Sequence, residues 1–442
     1  MLIIGNGTLV TLGKKCRVIE GGGVLIENGL IAAVGDTAGL LKTAPGAEYF
    51  DCRGKLIMPG FICVHTHTYG TFTRGMALSG EAPADFPQVL ERLWWRFDRA
   101  LSLEDIYYSA LITFIACLKN GTTTVLDHHA SPNAISASLE QIGRAARETG
   151  IRANLCYEVS DRDGAAKMQA GLEENVSFIR QCREVGSAEL TATFGMHASF
   201  TIGPETMENC ARAAHDQDTG IHIHVAESRE DAIHCREKYG IGVVERLDRY
   251  NLLGPKTLAA HCVHISEEEM VLLARSGTNV AHNPQSNMNN AVGCAPVLRM
   301  LDKGVKLGLG SDGMTTDMIE GMKTAHILHK HCQEDPRVGW AEVPLMQFGN
   351  NPQIMGGYFP VKLGELAPGT AADLIVVDYD PPTPLTAENY YGHLVFGMTG
   401  RMVETTLVAG KILMRNRSLT TINEENINSL ARELAAKLWK RL

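Results

Sequence analysis

The spacing of apolar residues changes twice along the chain. Near the start, LIIGNGTLVTL, GGGVLIENG and LIAAVGD are short apolar runs separated by Gly, Asn and Asp, which predicts a small antiparallel sheet. Residues 372–380 and 403–416 have the same character near the other end of the chain. We therefore predict that both ends of the chain together form one small β-sandwich domain.

Between these ends, eight apolar runs alternate with amphipathic stretches of helix length. Eight strands with helices between them are typical of a parallel (β/α)8 TIM barrel. A doubly wound open sheet is the alternative, but no Gly-x-Gly-x-x-Gly motif follows the first run. The predicted strands lie within residues 55–67, 122–129, 151–159, 190–198, 220–227, 257–263, 278–284 and 305–312.

These patterns divide the chain into four predicted parts. We assign residues 1–57 to the first half of the sandwich and residues 58–360 to the barrel. Residues 361–416 would complete the sandwich, and residues 417–442 would form a C-terminal helix. That helix carries apolar residues at helical spacing, namely Ile427, Leu430, Leu434 and Leu438.

Composition and charge narrow the range of partners. The 442 residues include 41 Lys+Arg and 50 Asp+Glu, a net charge of −9, with no basic run, so no nucleic-acid partner is expected. No apolar stretch is long enough to span a membrane, and the N-terminus lacks the features of a secretion signal. The 11 cysteines include no Cys-x-x-Cys pair, which favours free thiols in a reducing cytoplasm.

Several of the 16 histidines fall at the C-terminal ends of predicted strands, where barrel active sites form. His65 and His67 lie two residues apart on one strand, so their side chains point to the same side. Two imidazoles on a rigid strand suit Zn²⁺ or Fe²⁺. We predict that this pair binds a metal ion.

Two further strand ends offer ligands of a matching type. His224 ends the fifth predicted strand and is the third predicted ligand, whereas His222 lies one layer deeper in the barrel interior. Asp312 follows the eighth strand as a predicted ligand and proton acceptor, although Ser-Asp-Gly is also a common turn. Three or four protein ligands with open positions describe a catalytic metal, which lowers the pKa of bound water to about 7.

Two polar residues beside these ligands are candidates for catalysis. Glu227 comes just after the fifth strand, where a turn brings its carboxylate beside the metal. A solvated loop carboxylate is the alternative. His261 ends the sixth strand and is suited to polarise the substrate, with a buried histidine bonded to the backbone as the alternative.

Taken in order, these motifs resemble the amidohydrolase superfamily, and within it the branch of aminohydrolases and chlorohydrolases. That branch holds guanine, cytosine-type and S-adenosylhomocysteine deaminases and triazine hydrolases. The resemblance covers nearly the whole chain and implies a metal-dependent hydrolase of carbon–nitrogen bonds. The segments that carry it are Met58 to His67, His224 to Glu227, Ala260-His261, Gly310 to Asp312 and Leu363 to Asp378.

The resemblance implies a role for each matching residue. One divalent metal, zinc with iron as the alternative, is expected, since no lysine stands at the tip of the fourth strand to bridge a second ion. In that family a metal hydroxide attacks a ring carbon that bears the amine. Asp312 accepts the hydroxide proton, Glu227 protonates the ring nitrogen, and His261 orients the nucleophile or the forming oxyanion. The implied metal ligands are His65, His67, His224 and Asp312.

Glu227 also bears on the type of reaction. Deaminating members of the branch carry Glu at this position because ammonia leaves only after proton delivery, whereas chloride leaves unprotonated. We therefore predict deamination of a purine, pterin or pyrimidine-like heterocycle. A triazine-type chlorohydrolase or an N-alkyl aminohydrolase is the enzymatic alternative, and a binding scaffold is the non-enzymatic one. The segments 93–98, 127–132 and 286–290 resemble one subgroup of the branch, whose substrate the family does not fix.

The residues expected to contact the substrate match the family motif less closely. His197 matches a substrate-contacting histidine of nucleoside-type deaminases, with a buried structural histidine as the alternative. Family deaminases often read Asn-Pro-x-Ser-Asn-x-Lys-Leu after the seventh strand, but here Asn289 stands where Lys would be. We expect a homodimer by analogy with the family. The predicted substrate contacts are His197, Trp94, His128 and Asn287, with helix packing as the alternative for the tryptophan.

Overall fold

The computed structural model describes residues 1–77 and 80–442, and its centre is a barrel of eight parallel strands. The prediction of a (β/α)8 barrel is confirmed. The fourth strand is interrupted at Thr193 and is therefore counted in two pieces. The barrel strands are Phe61–Thr66, Thr122–His129, Arg152–Tyr157, Leu190–Ala192 with Phe194–Ala198, Ile221–Val225, Leu258–His261, Asn279–His282 and Lys306–Leu309.

The first and last strands lie side by side, which closes the barrel. Thr66 and Asp312 form a parallel bridge, and the backbone amides of Ser311 and Asp312 both donate to the carbonyl oxygen of His65 at 2.9 Å. Across the interrupted strand, Val159 bridges to Met196 in the same way. Closure therefore places the end of the eighth strand directly beside the strand that carries His65 and His67.

Helices surround the barrel, and capping residues stabilise the first turn of one of the longest. The helix Leu103–Lys119 begins with a capping box in which Ser102 and Asp105 satisfy each other's backbone amides. Two short helices precede Leu103–Lys119, and a π-helical turn, Leu90–Trp94, joins them. The helices of the barrel are Phe86–Val89, Trp95–Ala100, Leu103–Lys119, Ser138–Thr149, Ala165–Val185, Pro204–Asp216, Arg229–Tyr239, Val243–Arg249, Glu267–Ser276, Pro284–Asn289, Val297–Asp302, Met318–Gln333, Glu342–Pro344 and Asn351–Met355.

Strands from both ends of the chain form one nine-stranded sheet, which we call the terminal sheet. Leu56–Pro59 pairs antiparallel with Leu374–Val377, so the two ends meet inside the same sheet, as predicted. Side chains from both ends share an apolar core that includes Ile4, Phe50 and Leu407. The strands are Leu2–Val10, Val18–Glu27, Leu30–Asp36, Glu48–Asp51, Leu56–Pro59, Leu374–Val377, Val403–Val408, Lys411–Arg415 and Ser418–Leu419.

The first three strands, Leu2–Val10, Val18–Glu27 and Leu30–Asp36, pair antiparallel as predicted, but the sheet also contains parallel neighbours that the sequence did not predict. Glu48–Asp51 and Leu56–Pro59 both run parallel to Leu2–Val10. The helix Thr37–Thr43 lies between the third and fourth strands, and a crossover of this kind lets a strand return in the parallel direction. The division into residues 1–57, 58–360, 361–416 and 417–442 stays a prediction.

The terminal sheet continues directly into the barrel. Only Gly60 separates the strand Leu56–Pro59 from the first barrel strand, Phe61–Thr66. A Cβ atom at Gly60 would lie 2.3 Å from both Cγ2 and Oγ1 of Thr123, a distance at which the neighbouring strand would have to move. Glycine at this joint therefore allows close packing between the first two barrel strands.

A buried ion pair also links the barrel to the terminal sheet. The guanidinium of Arg152, on the third barrel strand, bonds Asp373 through Nε at 2.8 Å and through Nη2 at 3.1 Å. Both side chains are almost fully buried, and Asp373 also accepts from the backbone amide of Ala409 at 2.7 Å. The two hydrogen bonds and the opposite charge of Asp373 compensate for the burial of the guanidinium group of Arg152.

Removing the carboxylate is therefore expected to be costly. We expect Asp373→Ala to lower the free energy of unfolding by about 3–5 kcal/mol, because the guanidinium of Arg152 stays buried without its partner. Urea unfolding followed by circular dichroism measures this change. The matched control, Arg299→Ala, removes the exposed partner of Glu267 and should cost about 0.5 kcal/mol or less. Equal losses in the two variants would contradict the prediction.

The predicted helix near the C-terminus is present, and several shorter helices lie elsewhere in the chain. The predicted C-terminal helix spans Glu424–Trp439 and buries Ile427, Leu434 and Leu438 against the body. Shorter helices lie at Tyr390–Gly397, Thr68–Thr73, Ser199–Thr201, Leu345–Asn350 and Gly400–Met402. Among the described residues, no single helix has the length and apolar composition to cross a membrane. The consecutive segments 86–100 and 103–119 have the required length and apolar composition only when taken together, and they are bent by 109° relative to each other.

Candidate metal and substrate site

Three of the predicted metal ligands converge at the C-terminal end of the barrel. Nε2 of His67 lies 3.3 Å from Nε2 of His224 and 3.2 Å from Oδ1 of Asp312. The ring centre of His65 lies 4.8 Å from that of His67 and 5.3 Å from that of His224. The strands that carry these residues are the first, fifth and eighth, so residues far apart in sequence meet because the barrel closes.

The outer ring nitrogens of the three histidines are each held by a hydrogen bond. Nδ1 of His67 donates to the carbonyl oxygen of His128, and Nδ1 of His224 donates to that of His197 at 2.8 Å. Nδ1 of His65 lies 2.8 Å from Nε2 of His222. A histidine that bonds outward through one nitrogen presents the other, with its lone pair, to a metal ion. All three rings are thus oriented with Nε2 towards the centre.

Electrostatics favour the same interpretation. Burial, with smaller effects from neighbouring histidines, holds the pKa values of His65 and His224 well below their usual range, which keeps both rings neutral as metal binding requires. For His67, the charge and hydrogen bond of Asp312 outweigh burial and raise the pKa to about 10. The carboxylate of Asp312 thus favours positive charge beside Nε2 of His67, which a metal ion bound there would supply.

The residues present fit a divalent metal ion. Within the part of the chain that the structure describes, Nε2 of His65 is buried without a hydrogen-bond partner, which leaves a donor atom for an ion. His128 belongs to the same cluster, since its candidate ligand atom lies within 4.8 Å of those of His65, His67 and His224. A set of imidazoles with one carboxylate is the donor chemistry of zinc and iron sites.

Glu227 and His261 lie beside this centre. Nε2 of His261 is 3.6 Å from Oε2 of Glu227 and 3.5 Å from Oδ2 of Asp312. Nδ1 of His261 bonds Oδ1 of Asn287 at 2.8 Å, which fixes the ring. Both His261, with φ of 74°, and Asp312, with φ of 54°, adopt left-handed backbone conformations that are uncommon for such residues. The fold therefore constrains the backbone at this point.

The carboxyl group of Glu227 is buried and weakly partnered. Oε1 accepts from Nδ2 of Asn290 at 3.1 Å. Burial raises the pKa of Glu227, and the nearby charge of His261 only partly opposes this effect. A carboxyl group whose pKa is raised in a cavity is suited to transfer protons near neutral pH.

A cavity opens above the centre. Trp94 and His197, two of the predicted substrate contacts, lie in its wall. Asn287 is buried behind His261, and His128 is buried beside the predicted metal ligands, so among the described residues neither belongs to the wall. The aromatic side chains of the wall are Tyr69, Phe86, Trp94, Trp95 and Phe200.

The sequence interpretation missed Glu158, at the tip of the third strand. Its Oε1 lies 3.5 Å from Nδ1 of both His67 and His128, and its Oε2 lies 3.8 Å from Nε2 of His197. Burial raises the pKa of Glu158 to about 7, and the charge of His67 opposes the shift. The available signal was a single acidic residue after an apolar strand, IRANLCYEV, with no motif around it.

Comparison with known proteins agrees with this architecture. The model of the amidohydrolase family matches residues 56–413. The chain is 34% identical over 424 residues to a 5-methylthioadenosine/S-adenosylhomocysteine deaminase of Desulforudis audaxviator, covering 94% of this chain and 95% of the relative. It is 32% identical over 447 residues to a 5'-deoxyadenosine deaminase of Methanosarcina mazei, covering 100% and 99%.

Solved structures share the fold at lower sequence identity. An adenosine deaminase from Xanthomonas campestris with bound zinc has a TM-score of 0.86 at 22% identity, over 99% of this chain and 98% of that one. The zinc complex of atrazine chlorohydrolase TrzN from Arthrobacter aurescens has a TM-score of 0.85 at 22% identity, over 98% and 100%. The chain therefore belongs to the amidohydrolase family and is a hydrolase that acts on carbon–nitrogen bonds.

Proposed function

We propose that this enzyme is a metal-dependent deaminase that replaces the amino group of a purine-like heterocycle with oxygen and releases ammonia. The observation that carries this proposal is the position of Glu227, a buried carboxyl group next to His261 and Asp312 at the cavity floor. Relatives named as deaminases of adenosine derivatives support it. The segments 93–98, 127–132 and 286–290 also favour the SsnA type of aminohydrolase within the family.

A divalent metal ion held by His65, His67, His224 and Asp312 would supply the Lewis acid that makes water nucleophilic at neutral pH. Asp312, with Oδ2 facing His261, takes a proton from the attacking water. Nε2 of His261 accepts a hydrogen bond from that water and orients it, because Asn287 holds the opposite side of the ring. Glu227 delivers a proton to the ring nitrogen, so that the amine can leave as ammonia.

The remaining assignments extend this proposal. His197 and Trp94, both in the cavity wall, would hold the heterocycle, and His128 and Asn287 would act from behind the residues that touch it. Zinc is the proposed metal, since imidazole and carboxylate ligands suit it, with iron as the alternative. We also propose a homodimer in the cytoplasm with no nucleic-acid or membrane partner. The described residues include all 11 cysteines, and every one is a free thiol, as a reducing compartment favours.

Ammonia release from a panel of substrates tests the proposed reaction. Protein of measured metal content is incubated with adenosine, 5'-deoxyadenosine, guanine, a pterin, cytosine, and chloro- and alkylamino-triazines. We expect ammonia from at least one purine and no chloride from the chlorotriazines. Chloride release without ammonia would contradict deamination and support the chlorohydrolase alternative.

Asn287 offers a test of how His261 is positioned. We expect Asn287→Ala to lower kcat by about tenfold to a hundredfold, because the ring of His261 loses the hydrogen bond that fixes its tautomer and orientation. Asn287→Asp keeps an oxygen acceptor and should recover most of the rate. Steady-state kinetics with a pH profile measures both. Equal losses in the two variants, with unchanged pH dependence, would contradict a positioning role.

A further inference from the structure

The chain repeats one capping pattern at the start of three helices, and one of the three uses it differently. Ser-x-x-Asp or Ser-x-x-Glu begins the helices Leu103–Lys119, Arg229–Tyr239 and Glu267–Ser276. In the first and the third helix, the serine and the acidic residue form a capping box. In the second helix, the side chain of Ser228 makes no capping hydrogen bond within the described chain, and the carboxylate of Asp231 bonds residues outside the helix.

Asp231 connects the loops that follow the fourth and fifth barrel strands. Its Oδ2 accepts from the backbone amide of Ala226 at 2.9 Å, and its Oδ1 accepts from that of Phe200 at 3.1 Å. Asp231 is buried, so water does not compete for these two bonds. Although Asp231 lines the cavity, both of its oxygens are thus occupied by the backbone of the protein itself.

Ala226 forms the turn that directs Glu227 into the site. Its φ of 44° is left-handed, which is uncommon for a residue other than glycine. The next side chain, that of Glu227, places Oε2 at 3.6 Å from Nε2 of His261. The carbonyl oxygen of Ala226 accepts from the backbone amide of His264 at 3.0 Å. Asp231 holds the amide of the same residue, and this buried N–H would lose its acceptor without the carboxylate.

A buried arginine fixes the loop at the other end of this connection. Nη1 of Arg246 donates to the carbonyl oxygen of Ser199 at 2.6 Å and to its hydroxyl at 2.9 Å, and Nη2 donates to the carbonyl oxygen of Ile202 at 2.7 Å. Phe200 lies between these two bonded residues. Through the amide of Phe200, Asp231 is therefore bonded to a segment that is itself anchored.

We propose that Asp231 is a positioning residue, which holds the turn at Ala226 and thereby keeps the carboxyl group of Glu227 within reach of the substrate. This inference rests on the proposed deaminase function, in which Glu227 delivers a proton. Proton transfer needs donor and acceptor at hydrogen-bond distance, and a displacement of about 1 Å can cost about a hundredfold in rate. The helix Arg229–Tyr239 begins without the capping box of the other two helices, because its acidic residue serves the site instead.

A double-mutant cycle between Asp231 and Glu227 tests the inference. Asp231→Asn keeps the shape of the side chain but turns an N–H group towards one of the two backbone amides, so that one bond is lost. We expect kcat to fall by about 10- to 100-fold, with KM within about threefold of the wild type. In the Glu227→Gln background, the same change should lower kcat by less than about twofold, because the group that Asp231 positions no longer transfers a proton.

Glu269→Gln is the matched control. Glu269 is also a buried carboxylate in the first turn of a helix, and it also joins two segments, since it accepts from the backbone amides of Val244 at 2.8 Å and Ser266 at 2.9 Å. It is not among the described residues that line the cavity. We expect its kcat to stay within about twofold of the wild type, even if the variant is less stable.

Crystal structures of the wild type and of Asp231→Asn provide a readout that does not depend on activity. We expect the carboxyl group of Glu227 to move by about 1 Å or more from its position beside His261. An unmoved carboxyl group would overturn the inference. Equal losses of kcat from Asp231→Asn in the wild-type and Glu227→Gln backgrounds would also overturn it, and would leave the proposed function intact.

Wild-type turnover by Glu227→Gln would instead contradict the proposed function, and the position of Glu227 in the crystal structures then decides the inference alone. Asp231→Glu replaces Asp231→Asn in the same experiments if the Asn variant does not fold. It keeps both acceptor oxygens but places them one methylene group further from the backbone, so the same displacement of Glu227 and the same coupling are expected.

Discussion

Replacing Glu227 with Gln is expected to lower kcat for ammonia release by about 10²- to 10⁴-fold. Gln has nearly the same shape and keeps the contact with Asn290, but it cannot deliver a proton to the ring nitrogen. An amine leaves only after protonation, so the loss of this proton transfer slows the step that breaks the carbon–nitrogen bond. Steady-state kinetics with an ammonia assay, together with metal analysis of the same samples, measures the effect.

The control for this variant is Glu237→Gln, which alters an exposed carboxylate on the helix Arg229–Tyr239 that follows Glu227. We expect its kcat to match that of the wild type. The Glu227→Gln variant should keep its metal, since Glu227 is not among the proposed ligands. Substantial turnover in this variant would contradict the proposed proton delivery and favour a leaving group, such as chloride, that departs unprotonated.

Removing a metal ligand is expected to abolish turnover and metal binding together. In His67→Ala or Asp312→Asn, we expect bound metal to fall from about one ion per chain to less than a tenth of that, and kcat to fall by at least about 10³-fold. The reason is geometric, because Nε2 of His67 lies within 3.3 Å of both Nε2 of His224 and Oδ1 of Asp312, so either change removes a donor atom from the centre of the site. Metal analysis by mass spectrometry and steady-state kinetics provide the two readouts.

His331→Ala is the matched control, since this histidine lies on the surface of the helix Met318–Gln333. It should keep both metal and activity. Treatment of the wild type with a chelator should reproduce the loss of activity, and added Zn²⁺ should restore it. Full turnover by metal-free protein, or by either ligand variant, would contradict a metal-dependent mechanism.

The barrel and the convergence of His65, His67, His224 and Asp312 could be predicted because both depend on short-range patterns. His65 and His67 follow an apolar run with the alternation of a strand, and His224 and Asp312 also end apolar runs. Once eight such runs imply a closed barrel, their ends must meet at one face. The parallel direction of Glu48–Asp51 in the terminal sheet could not be predicted in this way, since it depends on the packing of the helix Thr37–Thr43.

The roles of other residues depend on contacts that sequence spacing does not reveal. Asn287 lies on the short helix Pro284–Asn289, and only the packed structure shows that its side chain bonds His261 behind the cavity wall. Glu158 was missed because an isolated acidic residue after a strand is usually solvated. Its burial among His67, His128 and His197 results from three different strands, and no local pattern encodes that arrangement.

The single residue between the terminal sheet and the first barrel strand has a consequence for changes in chain length. One residue inserted at Gly60 would shift the following strand by about 3.3 Å and turn its side chains to the opposite face. His65 and His67 would then leave the centre, while the pairing of Leu56–Pro59 with Leu374–Val377 prevents the sheet from following. Insertions should therefore be tolerated in the loops that follow the strands but not at this joint, which sets the depth of two proposed ligands in the barrel.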